Sequence, residues 1–190
     1  MALPAFATAA DLAAVTQRSD LDEAAADLAL ASASAVIRRW TRQQITLVEG
    51  DVATLRVLHE SDIVLPQRPV VSVDQVRVSS LVLQDWVLSG DRLLRAGGWR
   101  RLPGTTTYPD PGLVEVTYTH GYSEIPDEIR AVCLDLASMS MTNPGGLREV
   151  AIDDYRRVFA SETLGSGVLS AAHREMLGDY RRRIGTVGLR

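Results

Sequence analysis

Within 17 residues, from Val114 to Arg130, the chain passes through an alternating segment, a glycine turn and a proline-opened amphipathic segment. No other stretch leaves so little choice of conformation. Val114, Val116 and Tyr118 repeat at period two with Glu115, Thr117 and Thr119 between them, which predicts a strand with one buried face. Gly121 ends it. Pro126 carries the φ suited to a first helical position, and Asp127 and Glu128 place negative charge beside unpaired backbone N–H groups. The helix that follows, to about residue 142, sets Ile129, Val132, Cys133, Leu136, Ala137 and Ser140 on one face. Ala131, Leu134, Ser138 and Met141 form a second, softer strip that another subunit could cover, and Asn143-Pro144-Gly145-Gly146 stops the helix. The segment is a structural joint, with no pattern of catalytic groups.

The residues before it divide into helices and short strands. Thr8 to Arg18 predicts a short helix with Thr8 as its cap and Leu12 and Val15 pointing inward. From Leu21 to about Arg42 a longer helix carries two apolar stripes: Leu21, Ala24, Leu28, Ala31 and Ala35 beside Leu30, Ala33, Ile37 and Trp40. Such a face is wider than one core contact needs, so the first stripe fits either a buried helix or a contact between subunits. Residues 44–95 turn to strands. Ala53, Leu55 and Val57 alternate with Thr54, Arg56 and Leu58, and Val71 and Val73 alternate with Ser72 and Asp74. Val76 and Val78 take the opposite parity, which predicts a bulge near Asp74-Gln75. Trp86-Val87-Leu88 and Arg92-Leu93-Leu94, flanking Ser89-Gly90-Asp91, read as a hairpin.

Ala96 to Gly112 is a long irregular loop. Beyond the joint, Leu147 to Ala160 suits an exposed extended arm and Leu164-Gly165-Ser166-Gly167 a hinge. A last helix from about Ser170 aligns Leu169, His173, Met176, Leu177, Tyr180 and Ile184 on one side. The expected fold is α+β: a small helical bundle with an inserted antiparallel β domain and an extended C-terminal arm plus helix. It forms a single domain, 1–190, with N-terminal helices in 8–42, a β region in 44–122 that includes loop 96–112, a core helix in 126–142, and the arm and helix in 147–190.

Composition narrows the chemistry. All 20 basic residues are arginine, which removes Schiff-base chemistry, a phosphate-loop lysine and a Ser-Lys dyad. Cys133 is the single cysteine, so neither an intrachain disulfide nor a multi-cysteine metal site is possible, and its place inside an apolar stripe marks it as core filler. His59, His120 and His173 lack a second histidine at metal-ligand spacing. His120 has no Gly-x-Ser-x-Gly elbow or matching carboxylate motif and is expected to tie its turn by hydrogen bonds. Asp153-Asp154 and Asp20-Leu21-Asp22-Glu23 read as solvated or capping charge. The expectation is no catalytic residue, no cofactor and no metal. No apolar run is long enough to span a bilayer, and the N-terminal residues lack the basic start and apolar core of a signal peptide, so folding in a cytoplasm is expected. A net charge of −4 has the wrong sign for a dedicated nucleic-acid binder.

Three stretches carry a family resemblance by their order. They are Ala31-Ser32-Ala33-Ser34-Ala35-Val36-Ile37, Leu65-Pro66-Gln67-Arg68-Pro69-Val70-Val71-Ser72-Val73, and the strand ending Thr117-Tyr118-Thr119-His120-Gly121-Tyr122 with its Pro-started helix and Asn-Pro-Gly-Gly break. Over roughly residues 8–183 the chain resembles the head-to-tail connector (adaptor) proteins of tailed bacteriophages. The resemblance implies a structural virion protein with no enzymatic reaction. Its subunits would form a homo-oligomeric ring in the neck, usually twelvefold, assembled in the host cytoplasm. Partners by the same resemblance are the portal protein, the stopper or tail completion protein, and genomic DNA that passes through the channel without sequence-specific binding. A stopper or tail terminator is the alternative within the neck, and a small cytoplasmic enzyme the alternative outside it.

Three groups of residues are candidate partner contacts. Trp99, Arg100, Arg101 and Tyr108 put aromatic anchors among arginines in the loop. Tyr155, Arg156, Arg157 and Phe159 lie in the arm, which in a ring adds to a neighbour by strand pairing or packing. Arg181, Arg182 and Arg183 close the last helix, where they complement its dipole. A mostly polar arm supplies little association energy alone, so the isolated chain is expected to be monomeric or weakly associated and to form rings with its portal.

Overall fold

The computed structural model describes residues 3–56, 62–78, 81–99, 113–143, 149–152, 155–158 and 169–182. Their contacts gather into two compact units, one of residues 1–43 and 124–181 and one of residues 44–123 and 182–190. The fold class is mixed α+β with antiparallel sheets, as the periodicities require.

Helix α1, Ala9–Thr16, begins at Thr8, whose hydroxyl accepts from the Asp11 N–H while the Asp11 carboxylate accepts from the Thr8 N–H. The Thr8 backbone bond holds the Asp11 carboxyl below the usual carboxylate range. Leu12 is fully buried, whereas Val15 is 58 % exposed, contrary to the expected inward pair. Two turns present too narrow a face to bury both. Helix α2, Glu23–Thr41, is capped by the Asp22 carboxylate, which accepts from the Ala24 N–H at 3.0 Å. Its stripe through Leu30, Ala33 and Ile37 is buried, and Ala26 and Ala29 extend it. The other stripe, Ala24, Leu28, Ala31 and Ala35, faces outward, with Leu28 71 % exposed. None of the described residues buries it.

Helix α3, Asp127–Thr142, packs on α1 and α2 through Ile129, Val132, Cys133, Leu136 and Ala137, each worth about 1.5–3 kcal/mol of burial for the larger aliphatic side chains. Leu134, assigned from the sequence to an uncovered strip, is buried too. The small residues of α2 allow close approach: Ser34 Oγ lies 3.4 Å from Cys133 Sγ and accepts from the Phe6 N–H at 3.0 Å. Burial pushes the Cys133 thiol upward, away from the thiolate that nucleophilic chemistry requires. Strands β8, Glu149–Ile152, and β9, Tyr155–Val158, pair antiparallel with each other, so this part of the arm is extended as expected and forms a hairpin. The C-terminal helix is shorter than its apolar period suggested: α4 covers Ala171–Met176 and a 3₁₀ turn covers Gly178–Tyr180. Leu169, His173 and Leu177 are buried, while Met176 faces outward.

The β unit is built from two sheets. One runs β1 (Val48–Arg56), β7 (Leu113–His120), β3 (Val70–Val78), β4 (Leu81–Leu83) in spatial order, and the other β2 (Asp62–Val64), β6 (Arg92–Leu94), β5 (Val87–Ser89). Val114, Val116, Tyr118 and His120 of the central strand β7 all face inward. Register breaks in β3 between Val73 and Gln75, where the parity change placed a bulge, and again between Val70 and Ser72. That second break leaves Val71 exposed and turns Val70 toward the core. The β5–β6 turn is Gly90-Asp91, with Gly90 at φ +62°. Both sheets feed one core that holds Ile63, Val76, Val78, Leu93, Trp99, Val114, Val116 and Tyr118. Buried Arg95 closes its edge, donating Nε and Nη2 to the two oxygens of Asp85 at 2.9 and 3.0 Å and Nη1 to the Gly98 carbonyl. This fork holds the Asp85 carboxyl below its ordinary range.

Tyr118 shows the cost of enclosing an ionisable group there. Its hydroxyl accepts from the Gln67 N–H at 3.3 Å, and burial pushes its pKa from 10.0 up to about 12. Between these values the unfolded chain releases the phenolic proton and the folded chain retains it. Stability is therefore fully present below about pH 10 and declines as pH rises toward about 12. An absorbance titration should show a phenol ionising near pH 12 that Tyr118→Phe removes.

Candidate functional site

In the helical unit, arginines from two distant stretches of chain meet around one groove. Arg39 lies in the last turn of α2 and Arg42 caps it in the left-handed conformation, so both sit where the helix dipole favours cations. Arg174 and Arg181 arrive from the other end of the sequence. Ser170 and His173 form a reciprocal cap at the start of α4, and His173 Nδ1 accepts from the Ser170 N–H. That leaves Nε2 as the ring donor, and it bonds Asp135 of α3 at 2.8 Å. Tyr180 adds a hydrogen bond from its hydroxyl to Glu128 at 2.9 Å. These two bonds fix the C-terminal segment on α3 and bring Arg174 and Arg181 to the end of α2.

The groove has a volume of about 410 Å³, with Val36, Trp40 and Leu169 supplying apolar surface among Arg39, Arg42, Arg174 and Arg181. The Arg181 guanidinium lies over the Trp40 ring, 5.3 Å from its centroid. Among the described residues the side chains of Arg39, Arg42 and Arg174 make no hydrogen bond or ion pair. Four cations around an apolar floor form a receptor for an anion with apolar surface beside it. They offer no base and no nucleophile.

The two described histidines act as structural ties. His120 is fully buried, and its Nε2 lies 3.0 Å from Asp51 Oδ2, so its imidazole fastens the end of β7 to β1 where the sequence suggested a tie within the turn. No solute reaches an imidazole so enclosed. Among the described residues no group of three or more His, Cys, Asp or Glu is placed to hold a metal ion, and no helix is long and apolar enough to cross a membrane.

The candidate contacts from the sequence fare differently. Trp99 is 1 % exposed in the β core, which corrects its assignment as a surface anchor: packing uses up its indole faces. Arg100, Arg101, Tyr108, Phe159 and Arg183 lie outside the described residues. Tyr155, Arg156 and Arg157 lie on β9, Arg181 joins the groove, and Arg182 is exposed. Sequence reasoning missed Arg39, Arg42, Arg174 and Trp40 as one site. Nothing local to Arg39 or Arg42 announces that a segment about 130 residues away completes the groove.

No protein-family model and no curated protein matches the chain. Solved structures do. A chain from the neck of an empty gene transfer agent (GTA) particle, computed with C6 symmetry, superposes with a TM-score of 0.62 at 19% identity, covering 97% of this chain and 95% of that one. This chain shares its fold with chains of the GTA neck. A second match, from the neck of a native GTA particle computed with C12 symmetry, has a TM-score of 0.56 at 20% identity and covers 94% of each chain. A third, from the virion of a native GTA particle, has a TM-score of 0.55 at 22% identity over 88% of this chain and 84% of that one. The matched lengths take in residues of both the helical and the β unit.

Proposed function

We propose that this protein is a structural subunit of the neck of a phage-like particle, and within the neck the head-to-tail connector, or adaptor. Residues 1–190 act as one connector subunit. The observation that carries the reading is the near end-to-end match to chains in GTA necks, assemblies computed with C6 and C12 symmetry. Support comes also from the ordered motifs of the connector resemblance and from His120, His173 and Cys133, which the fold encloses. In this role the subunits form a ring, between the portal and the stopper or tail completion proteins, through which genomic DNA passes, and no reaction is catalysed.

The experiment is a reconstruction of the particle that carries this chain. Density for the chain in a ring against the portal is the expected result. Its appearance in a ring one step further toward the tail would assign it as a stopper or terminator instead, and its absence from the neck would defeat the reading altogether.

A further inference from the structure

We propose that the four-arginine groove is filled by a second copy of this chain, whose acidic start of α2 docks there head to tail. This inference rests on the ring reading above. The exposed surface of α2 changes charge sign along its length. Glu23 and Asp27 lie at its start on the face beside the outward stripe, Leu28, Ala31 and Ala35 continue the stripe, and Arg39 and Arg42 lie at the far end. At 1.5 Å per residue the helix separates these charges by roughly 18 Å between Asp27 and Arg39 and roughly 28 Å between Glu23 and Arg42. The acidic end matches the groove in chemistry: two carboxylates for the guanidiniums, and the protruding Leu28 for the surface of Val36, Trp40 and Leu169.

Each end is unsatisfied alone. Among the described residues the Glu23 and Asp27 side chains have no hydrogen-bond or ion-pair partner, and three of the groove's arginines have none either. Docking one end on the other leaves a free acidic end and a free groove on the resulting dimer. A heterologous contact of this kind propagates until rotation closes it into a ring. Phosphodiesters would satisfy the guanidiniums, but would leave the apolar floor and the acidic, Leu28-bearing end without partners.

Charge reversal tests this on the full chain. Glu23→Arg with Asp27→Arg, or Arg39→Glu with Arg174→Glu, should each weaken self-association roughly tenfold or more at low salt, by sedimentation velocity, with circular-dichroism melts lowered by only a few degrees, the cost of opposing the α2 dipole. All four reversals in one chain should recover association at least roughly threefold over either double variant, because the reversed positions again pair opposite charges, while Arg42 and Arg181 keep the recovery short of the parent. A four-fold variant no more associated than either double variant overturns the proposal, as does a parent chain that shows no self-association at the highest concentration it tolerates. So does a pattern in which the groove reversals release a short DNA duplex and leave self-association untouched. A parent chain found in the neck alongside a failed rescue would sink the docking and leave the connector reading standing, whereas a chain missing from the neck sinks that reading separately.

Discussion

Gly121→Ala is expected to destabilise the protein by roughly 3 kcal/mol or more, or to prevent folding of the β unit. Gly121 has φ +93°, which side chains other than glycine's rarely adopt. A Cβ there would lie 2.3 Å from the Thr46 carbonyl oxygen, 2.7 Å from its carbon and 2.9 Å from the Ile45 oxygen. Those atoms are backbone and cannot rotate aside. They are also pinned: Tyr122 N–H donates to the Ile45 carbonyl at 2.8 Å, Leu47 N–H to the Tyr122 carbonyl at 3.0 Å, and Gly121 N–H to the Pro69 carbonyl at 2.9 Å. Ile45 is itself held at φ +69°, a strained value for a β-branched residue, so little freedom remains nearby to absorb the methyl group. Urea denaturation of the two proteins measures the loss. Gly97→Ala is the control, since its added carbon meets nothing within 4 Å, and it should change stability by no more than about 0.5 kcal/mol. A Gly121→Ala protein as stable as the control would mean that the chain does not close here as described.

The joint around Gly121 was legible because every signal in it is local. Alternation in Val114–Tyr118, the glycine, the proline and the acidic first turn act within a few residues of one another, and strand, turn and helix follow where they predict. The Asp74 bulge and the Gly90 hairpin were readable for the same reason. What lay hidden depends on distant chain segments. Strand order puts β7 between β1 and β3, a choice fixed by tertiary pairing that no single strand encodes. The two stripes of α2 looked equally apolar in sequence, yet α3 and α1 cover only the stripe through Leu30, Ala33 and Ile37. The basic groove needed the His173–Asp135 bond to bring its two halves together. Local patterns thus specified most elements, while the candidate site exists only in the assembled unit.

Trp99→Ala should cost about 3–5 kcal/mol, the range for deleting a large buried aromatic side chain. In sequence Trp99 stands beside Arg100 in a glycine-rich stretch, which is how a partner anchor would also look. In the fold its indole is sealed among the residues that line the shared face of the two β sheets, including Leu93 and Val114. The two roles separate cleanly by measurement. Truncating a surface anchor leaves the melting curve of the isolated chain unchanged and weakens assembly, because the lost contact forms only with the partner. Truncating a core indole opens a cavity that the surrounding side chains fill only in part, so the isolated chain melts earlier before any partner is present. Thermal melts of the isolated Trp99→Ala chain, followed by far-ultraviolet circular dichroism, decide between them. An unshifted melt together with failed ring formation would return Trp99 to the surface, and a shift of several degrees or more keeps it in the core.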